Sequence, residues 1–148
     1  MCNSISMRLL LCAIILSTLL GCRDNSKRMS IQGTVTLDGQ PLAKGSIVFS
    51  PLPGTAGPVA GANIADGKFA MLHSGGPFTG KFRIEITASV PTGRKKLNPR
   101  SNTMIDEYVQ ILPARYNRDS QLQAEVTAEG SNRLDFALTS EGGPPAPK

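Results

Sequence analysis

Few residues in this chain are of types that do chemistry, and most lie where no mechanism assembles. His73 is the only histidine and stands beside Ser74. As base and nucleophile they would need a third group to orient the imidazole. Neighbours in an extended strand point to opposite faces, and no orienting acid lies nearby in sequence, so His73 reads as a loop histidine. Asp38, Asp66, Asp106 and Glu107 raise the question of calcium, an ion that takes ~6–8 oxygen ligands, usually with several carboxylates in one loop. Asp38 and Asp66 each precede a glycine, a pairing that tight turns demand for backbone reasons. No metal or cofactor site is expected. Gly33, Gly39, Gly45 and Gly67 likewise read as turn and close-packing positions, and their spacing matches no phosphate-binding loop.

Arg94, Lys95, Lys96 and Arg100 form the one charge cluster, with no acid between Pro91 and Met104. No aromatic stacking platform accompanies it, so nucleic acid is not an expected partner. A solvated loop is the first reading, and contact with lipid or surface glycan the second. The net charge of +5 is modest and by itself speaks only of solubility. Cys2, Cys12 and Cys22 all precede the rest of the chain, whereas a disulfide framework would scatter cysteines and a metal site would pair them with histidine.

Residues 9–20 (LLLCAIILSTLL) are an unbroken apolar run after a short segment with one cation, Arg8. The run suits a secretory leader and is well short of the ~20 residues that cross a bilayer as a helix. It ends at Leu19-Leu20-Gly21-Cys22, which resembles the lipobox of bacterial lipoproteins: aliphatic, tolerant, small, then cysteine. That resemblance implies cleavage after Gly21, with acyl chains carried by Cys22, because only a thiol forms the thioether. The alternative is an ordinary cleaved leader with an incidental cysteine. Cleavage would remove Cys2 and Cys12 and acylation would consume Cys22, leaving no free thiol in an oxidising compartment. Arg23 follows the cysteine where aspartate favours inner-membrane retention in proteobacterial lipoproteins, so an outer-membrane address is implied.

The remaining chain must position whatever it carries with strands. Ile31, Val35 and Leu37 alternate with Gln32, Thr34 and Thr36, the period of a strand buried on one face. Asp38-Gly39 turns the chain and a second alternating run follows at 46–50. A further hairpin reads across 60–72 about Asp66-Gly67. The clearest strand is 80–90, with Phe82, Ile84, Ile86 and Ala88 on one side. Leu122, Ala124 and Val126, then Leu134, Phe136 and Leu138, complete the set. Short strands with turns between them and no helical period point to an all-β sandwich. Residues 91–113 contain no good strand and read as a long mobile loop, with one helical turn expected over 104–111.

GTVTLDGQPLAKGSIVF, ADGKF, GKFRIEI, LPARYN and LQAEVTAEGSNRLDFAL together resemble the transthyretin-like, carboxypeptidase-regulatory-like domain, and more closely the small one-domain planctomycete lipoproteins that carry it. The resemblance covers residues 30–140 and implies a seven-stranded transthyretin-like or Ig-like β-sandwich without catalytic residues. Asn63-Ile64-Ala65 departs from it, since a Thr-Asp pair commonly precedes the Asp-Gly turn. A purine-pathway hydrolase on the same scaffold uses several histidines and a C-terminal Tyr-Arg-Gly-Ser segment, neither of which is present here.

The expected organisation is a leader at 1–21, an anchored tether at 22–29, the sandwich at 30–140 and a disordered tail at 141–148. The expected role is that of a non-enzymatic, lipid-anchored envelope domain with a structural or protein-interaction function, its partner the membrane plus an envelope protein or glycan. A carbohydrate-binding module is the alternative, weakened by the absence of tryptophan. Tyr116 in LPARYN is expected to bury its ring and to bond a backbone group through its hydroxyl, in the manner of a tyrosine corner. The address is testable first: the intact mass of the envelope form should exceed that of unmodified 22–148, and Cys22→Ala should abolish palmitate labelling.

Overall fold

The computed structural model describes residues 27–141. The expected leader 1–21, Cys22, most of the expected tether 22–29 and nearly all of the expected tail 141–148 lie outside the described residues. Within them the chain is almost wholly β, in the order β1 (Ile31–Leu37), β2 (Gln40–Pro41), β3 (Lys44–Pro51), β4 (Ala60–Ala65), β5 (Lys68–Met71), β6 (Gly80–Thr87), β7 (Ser89–Asn98), β8 (Thr103–Gln110), β9 (Gln123–Val126) and β10 (Arg133–Leu138). Seven strands form one path, β10-β1-β5-β4-β3-β6-β9, with the two-residue β2 paired to β1. β7 and β8 form a separate two-stranded ribbon.

The path folds over on itself at β4 and β5, which share only the pair Ala65–Lys68 beside their turn. β10, β1 and β5 thus face β4, β3, β6 and β9 across the core. Both tight turns are built as their residues require. Asp38 and Gly39 have φ of 51° and 81°, and Asp66 and Gly67 have 49° and 72°, the left-handed pair of a type I′ turn. Alternation then buries one face of each long strand. Val35, Ile47, Phe49, Phe82, Ile84 and Ile86 are fully buried, each worth about 1.5–3 kcal/mol in water-to-core transfer. Phe49 meets Phe69 at 6.3 Å and Phe82 at 6.2 Å between ring centroids, and Phe69 meets Phe136 at 6.3 Å, so aromatic contacts join the two layers.

The first and last strands pair in parallel, from Gln32–Arg133 to Leu37–Leu138, while the other pairings are antiparallel. Three features hold them. A Cβ at Gly33 would lie 1.7 Å from the Leu134 carbonyl oxygen and 2.8 Å from the Phe69 ring, so only glycine permits this approach. Asp135 Oδ1 accepts from the Thr34 backbone N–H at 3.1 Å and from its hydroxyl at 2.6 Å. Asp38 Oδ1 accepts from the Ser140 N–H at 2.9 Å.

Strand directions also sort the loops to two ends. Ile31 pairs with Met71, Ala60 with Phe49, and Gly80 with Val126. The incoming segment 27–30 therefore shares one end with loops 52–59, 72–79 and 127–132. The turns at Asp38 and Asp66, the end of β6 and the root of the ribbon share the opposite end.

Two outcomes follow for stability. Gly33→Ala should cost at least about 2 kcal/mol, in the upper part of the range for overpacked sites, whereas Gly75→Ala, with open space around it, should change the unfolding midpoint little. The bond from Ser140 to Asp38, and that from Thr34 to Asp135, hold both carboxyls below their ordinary value of 3.8. Carboxyls that titrate lower when folded favour the fold near neutral pH, and that contribution vanishes as pH falls through their lowered values. Urea midpoints measured between about pH 5 and about pH 2 should thus fall less steeply in Asp38→Asn/Asp135→Asn than in the parent.

Candidate functional site

Residues 91–113, expected as a strand-free mobile loop, are instead mostly the β7–β8 ribbon, and the helical turn expected over 104–111 is strand β8. Its exposure is as anticipated: of the two strands only Asn98 and Glu107 are even half-buried. The ribbon is nonetheless well defined by hydrogen bonds. At its tip Asn98 Oδ1 accepts from the Arg100 N–H at 3.0 Å and the Asn98 carbonyl from the Asn102 N–H at 2.8 Å. The register shifts between Pro91 and Lys95. Within that bulge Gly93 has φ 76°, and the Thr92 hydroxyl donates toward the Glu107 carboxylate at 3.1 Å.

The root is fastened at the end of β6. Gln110 Oε1 accepts from the N–H of buried Ala88 at 2.9 Å and from that of Leu112 at 3.1 Å, while the Ala88 carbonyl accepts from the Ile111 N–H at 2.9 Å. Just beyond lies a short 3-10 turn, Ala114–Tyr116. Tyr116 is fully buried. Its hydroxyl oxygen accepts from the Thr139 backbone N–H at 3.1 Å and lies 3.3 Å from the Thr139 hydroxyl. The expected buried ring and backbone bond are both present, and the partner is Thr139, the residue just after β10. Arg115 lies over the Tyr116 ring at 4.6 Å and donates to the Thr139 carbonyl at 2.6 Å. Burial opposes ionisation of the phenol, but the Thr139 bonds and the Arg115 guanidinium outweigh it and lower the pKa from 10.0.

The four cations named from sequence do share the ribbon, though not as one patch. Arg94 sits in the bulge and Arg100 in the tip. Lys95 pairs with Asp106 and Lys96 with Ile105 in the ladder, so the two lysines point to opposite faces. Lys95 Nζ lies 4.0 Å from an Asp106 carboxylate oxygen, both side chains exposed, an arrangement worth little on its own. The hairpin thus brings opposite it an acid that linear spacing had placed outside the cluster.

Between the cations lie apolar side chains left in water. Val90, Leu97, Met104, Ile105, Tyr108 and Val109 are all exposed. Leu97, Met104 and Tyr108 share the face of Lys95, and Val90, Ile105 and Val109 share the face of Lys96. A shallow depression of about 510 Å³ is lined by Lys95, Lys96, Met104, Ile105, Asp106 and Tyr108. Elsewhere, His73 Nδ1 lies 3.0 Å from the Arg28 carbonyl, tying a loop to the incoming chain. Among the described residues no three His, Cys, Asp or Glu side chains gather as a metal site. No helix among them is long and apolar enough to cross a membrane.

No family model matches the chain, and no curated protein does either. Among solved structures, a 9R-lipoxygenase from Cyanothece PCC8801 aligns with 78% of this chain and 16% of its own, at 13% identity and a TM-score of 0.36. A likeness that slight carries no argument about fold or activity.

The root and the tyrosine knot can be tested separately. Tyr116→Phe should lower stability by about 0.5–1.5 kcal/mol, the net worth of one hydrogen bond, with acrylamide quenching of the native Tyr116 slow. Gln110→Ala leaves the Ala88 N–H unpaired and should cost about 1–3 kcal/mol. Hydrogen exchange at Ala88 and Leu112 should rise with it.

Proposed function

We propose that this chain is a lipid-anchored, non-enzymatic β-sandwich of the cell envelope, held at Cys22, that presents the β7–β8 ribbon to a protein partner. The observation that carries this reading is a ribbon bare on both faces yet fastened at its root. A two-stranded hairpin alone is marginal in water. Leaving Leu97, Met104, Tyr108 and Val109 uncovered is unfavourable unless something covers them, and exposed apolar clusters mark interaction sites. Arg94, Lys96 and Arg100 rim those side chains, a mixture that suits a protein surface with apolar pockets and acidic edges.

Carbohydrate binding is the second reading, and one feature supports it. Tyr108, 57% exposed, is the single aromatic side chain left open to solvent among the described residues. One ring beside Lys95 and Asp106 is a small stacking platform for a sugar, and Tyr116 is not available to enlarge it.

A photo-cross-linker placed at Met104 in the native envelope separates the readings. A discrete protein adduct that is absent with the cross-linker at Glu125 supports the proposal. No adduct, together with glycan-array binding by residues 29–140 that Tyr108→Ala abolishes, replaces it with the carbohydrate reading.

A further inference from the structure

We infer that the end of the sandwich where the chain arrives from its tether is a lipid-facing platform: Val59 and Leu72 enter the apolar boundary of the bilayer, with Lys27 and Arg28 at headgroup level. This rests on the reading of Cys22 as the acylated anchor.

Among the described residues, apart from the ribbon and Ile111 just after it, the exposed large apolar side chains are Val59 and Leu72, at 59% and 75%. Both stand at the end where segment 27–30 joins the sheet, since Val59 precedes β4 and Leu72 follows β5. Single exposed apolar residues are ordinary on a protein surface; their shared position beside the tether is what gives these two a direction.

The segment itself is fastened to that end. The Met29 N–H donates to the Pro77 carbonyl at 2.8 Å, Arg28 donates to the Gly76 carbonyl at 2.9 Å, and His73 holds the Arg28 carbonyl. The Arg28 guanidinium lies 5.3 Å from the Phe78 ring centroid. A Cβ at Gly57 would lie 2.4 Å from that same ring, so loop 52–59 packs on loop 72–79 and the two form one surface. The chain is thus fastened to the sandwich from Arg28 onward. From Cys22 to Lys27 are five Cα steps, which span at most about 18 Å. An anchored Cys22 brings this end to within that distance of the bilayer, whatever else the domain does. The loops there carry a single acid, Glu129, against Lys27 and Arg28, so charge does not oppose an anionic surface.

The opposite geometry holds for the ribbon. It roots at the far end of β6, a strand of eight residues and so about 26 Å long at 3.3 Å per residue. Screening in physiological salt reduces charge attraction beyond ~8 Å. The root of the ribbon thus lies beyond that range from the tether end, and comparing positions 72 and 100 decides between contact there and lipid contact by Arg94, Lys95, Lys96 and Arg100, the second reading of that cluster.

The test uses the acylated full-length protein in vesicles of phosphatidylcholine and phosphatidylglycerol. Acylation is established first by intact mass, so failure of the anchor reading shows there and nowhere else. With the native cysteines removed or acylated, Leu72→Cys and Arg100→Cys each give one thiol for an environment-sensitive fluorophore. Nitroxide-bearing lipids should quench the label at position 72 several-fold more than that at position 100, with a blue-shifted emission at position 72 only. Val59→Ser in the Leu72→Cys background should reduce the quenching while leaving the protein bound. Equal quenching at the two positions, or stronger quenching at position 100, overturns the inference.

Discussion

The sandwich depends on a pairing that the chain can make only after it has been wholly laid out: β1 with β10, the first strand with the last. The sheet path begins at β10 and reaches the rest only through β1, so loss of this contact would leave β1 as an open edge. Hydrophobic burial supplies most of the energy, with fully buried core side chains such as Val35, Ile47, Phe49, Phe82, Ile84 and Ile86 at about 1.5–3 kcal/mol each. It excludes slips of one residue, which would turn the dry face to water, but a slip of two residues keeps the same face inward, so burial does not select the register by itself. Asp135 on Thr34, Asp38 on Ser140 and the glycine at position 33 do select it. Arg115 and Tyr116 bind the exit of β10 at Thr139, so polar contacts hold the same pairing from both sides. Pairings of such wide sequence separation form late and slowly.

What could be read from sequence follows from which strands have one dry face. In β1, β6 and β10 the outward side chains meet water and the inward ones meet the core, so composition alternates and the strands were visible. The Asp-Gly turns were visible for a backbone reason, since few other pairs accept two positive φ angles in succession. The ribbon has no dry face. Its apolar residues stand on both sides, its cations likewise, and a bulge at Thr92 to Arg94 breaks the remaining alternation. A period of two arises from one-sided burial, so a hairpin exposed on both faces leaves no such mark. Gln110 was equally illegible. Its amide oxygen serves Ala88, 22 residues away, and long-range hydrogen bonds leave no local pattern.

Tyr116 shows the intermediate case. Its burial was legible because a tyrosine near the start of a late sandwich strand is an amphipathic group with a known use. Its partner was not, because the residue that bonds its hydroxyl lies 23 positions downstream. Arg115 then does what a lysine would do poorly: its planar guanidinium lies over the ring while its N–H groups reach the Thr139 carbonyl.

The two ends of the molecule are built by opposite rules, and this bears on how the ribbon could work. At the end where segment 27–30 arrives, hydrogen bonds from Met29, Arg28 and His73 fix the incoming chain to its loops. At the far end, among the described residues, the hydrogen bonds from the ribbon to the sandwich lie at its root, through Gln110 and the Ala88 carbonyl. A structure fastened at one end and uncovered elsewhere opens locally at low free energy. For a binding element this is an advantage in adaptability and a cost in affinity, since a partner must order whatever the free ribbon leaves loose. The bonds at the tip and bulge limit that cost, because Asn98 and Thr92 hold the turn and the irregularity without any partner. The ribbon is thus partly preorganised by its own polar side chains, while its apolar ones remain free to meet a surface.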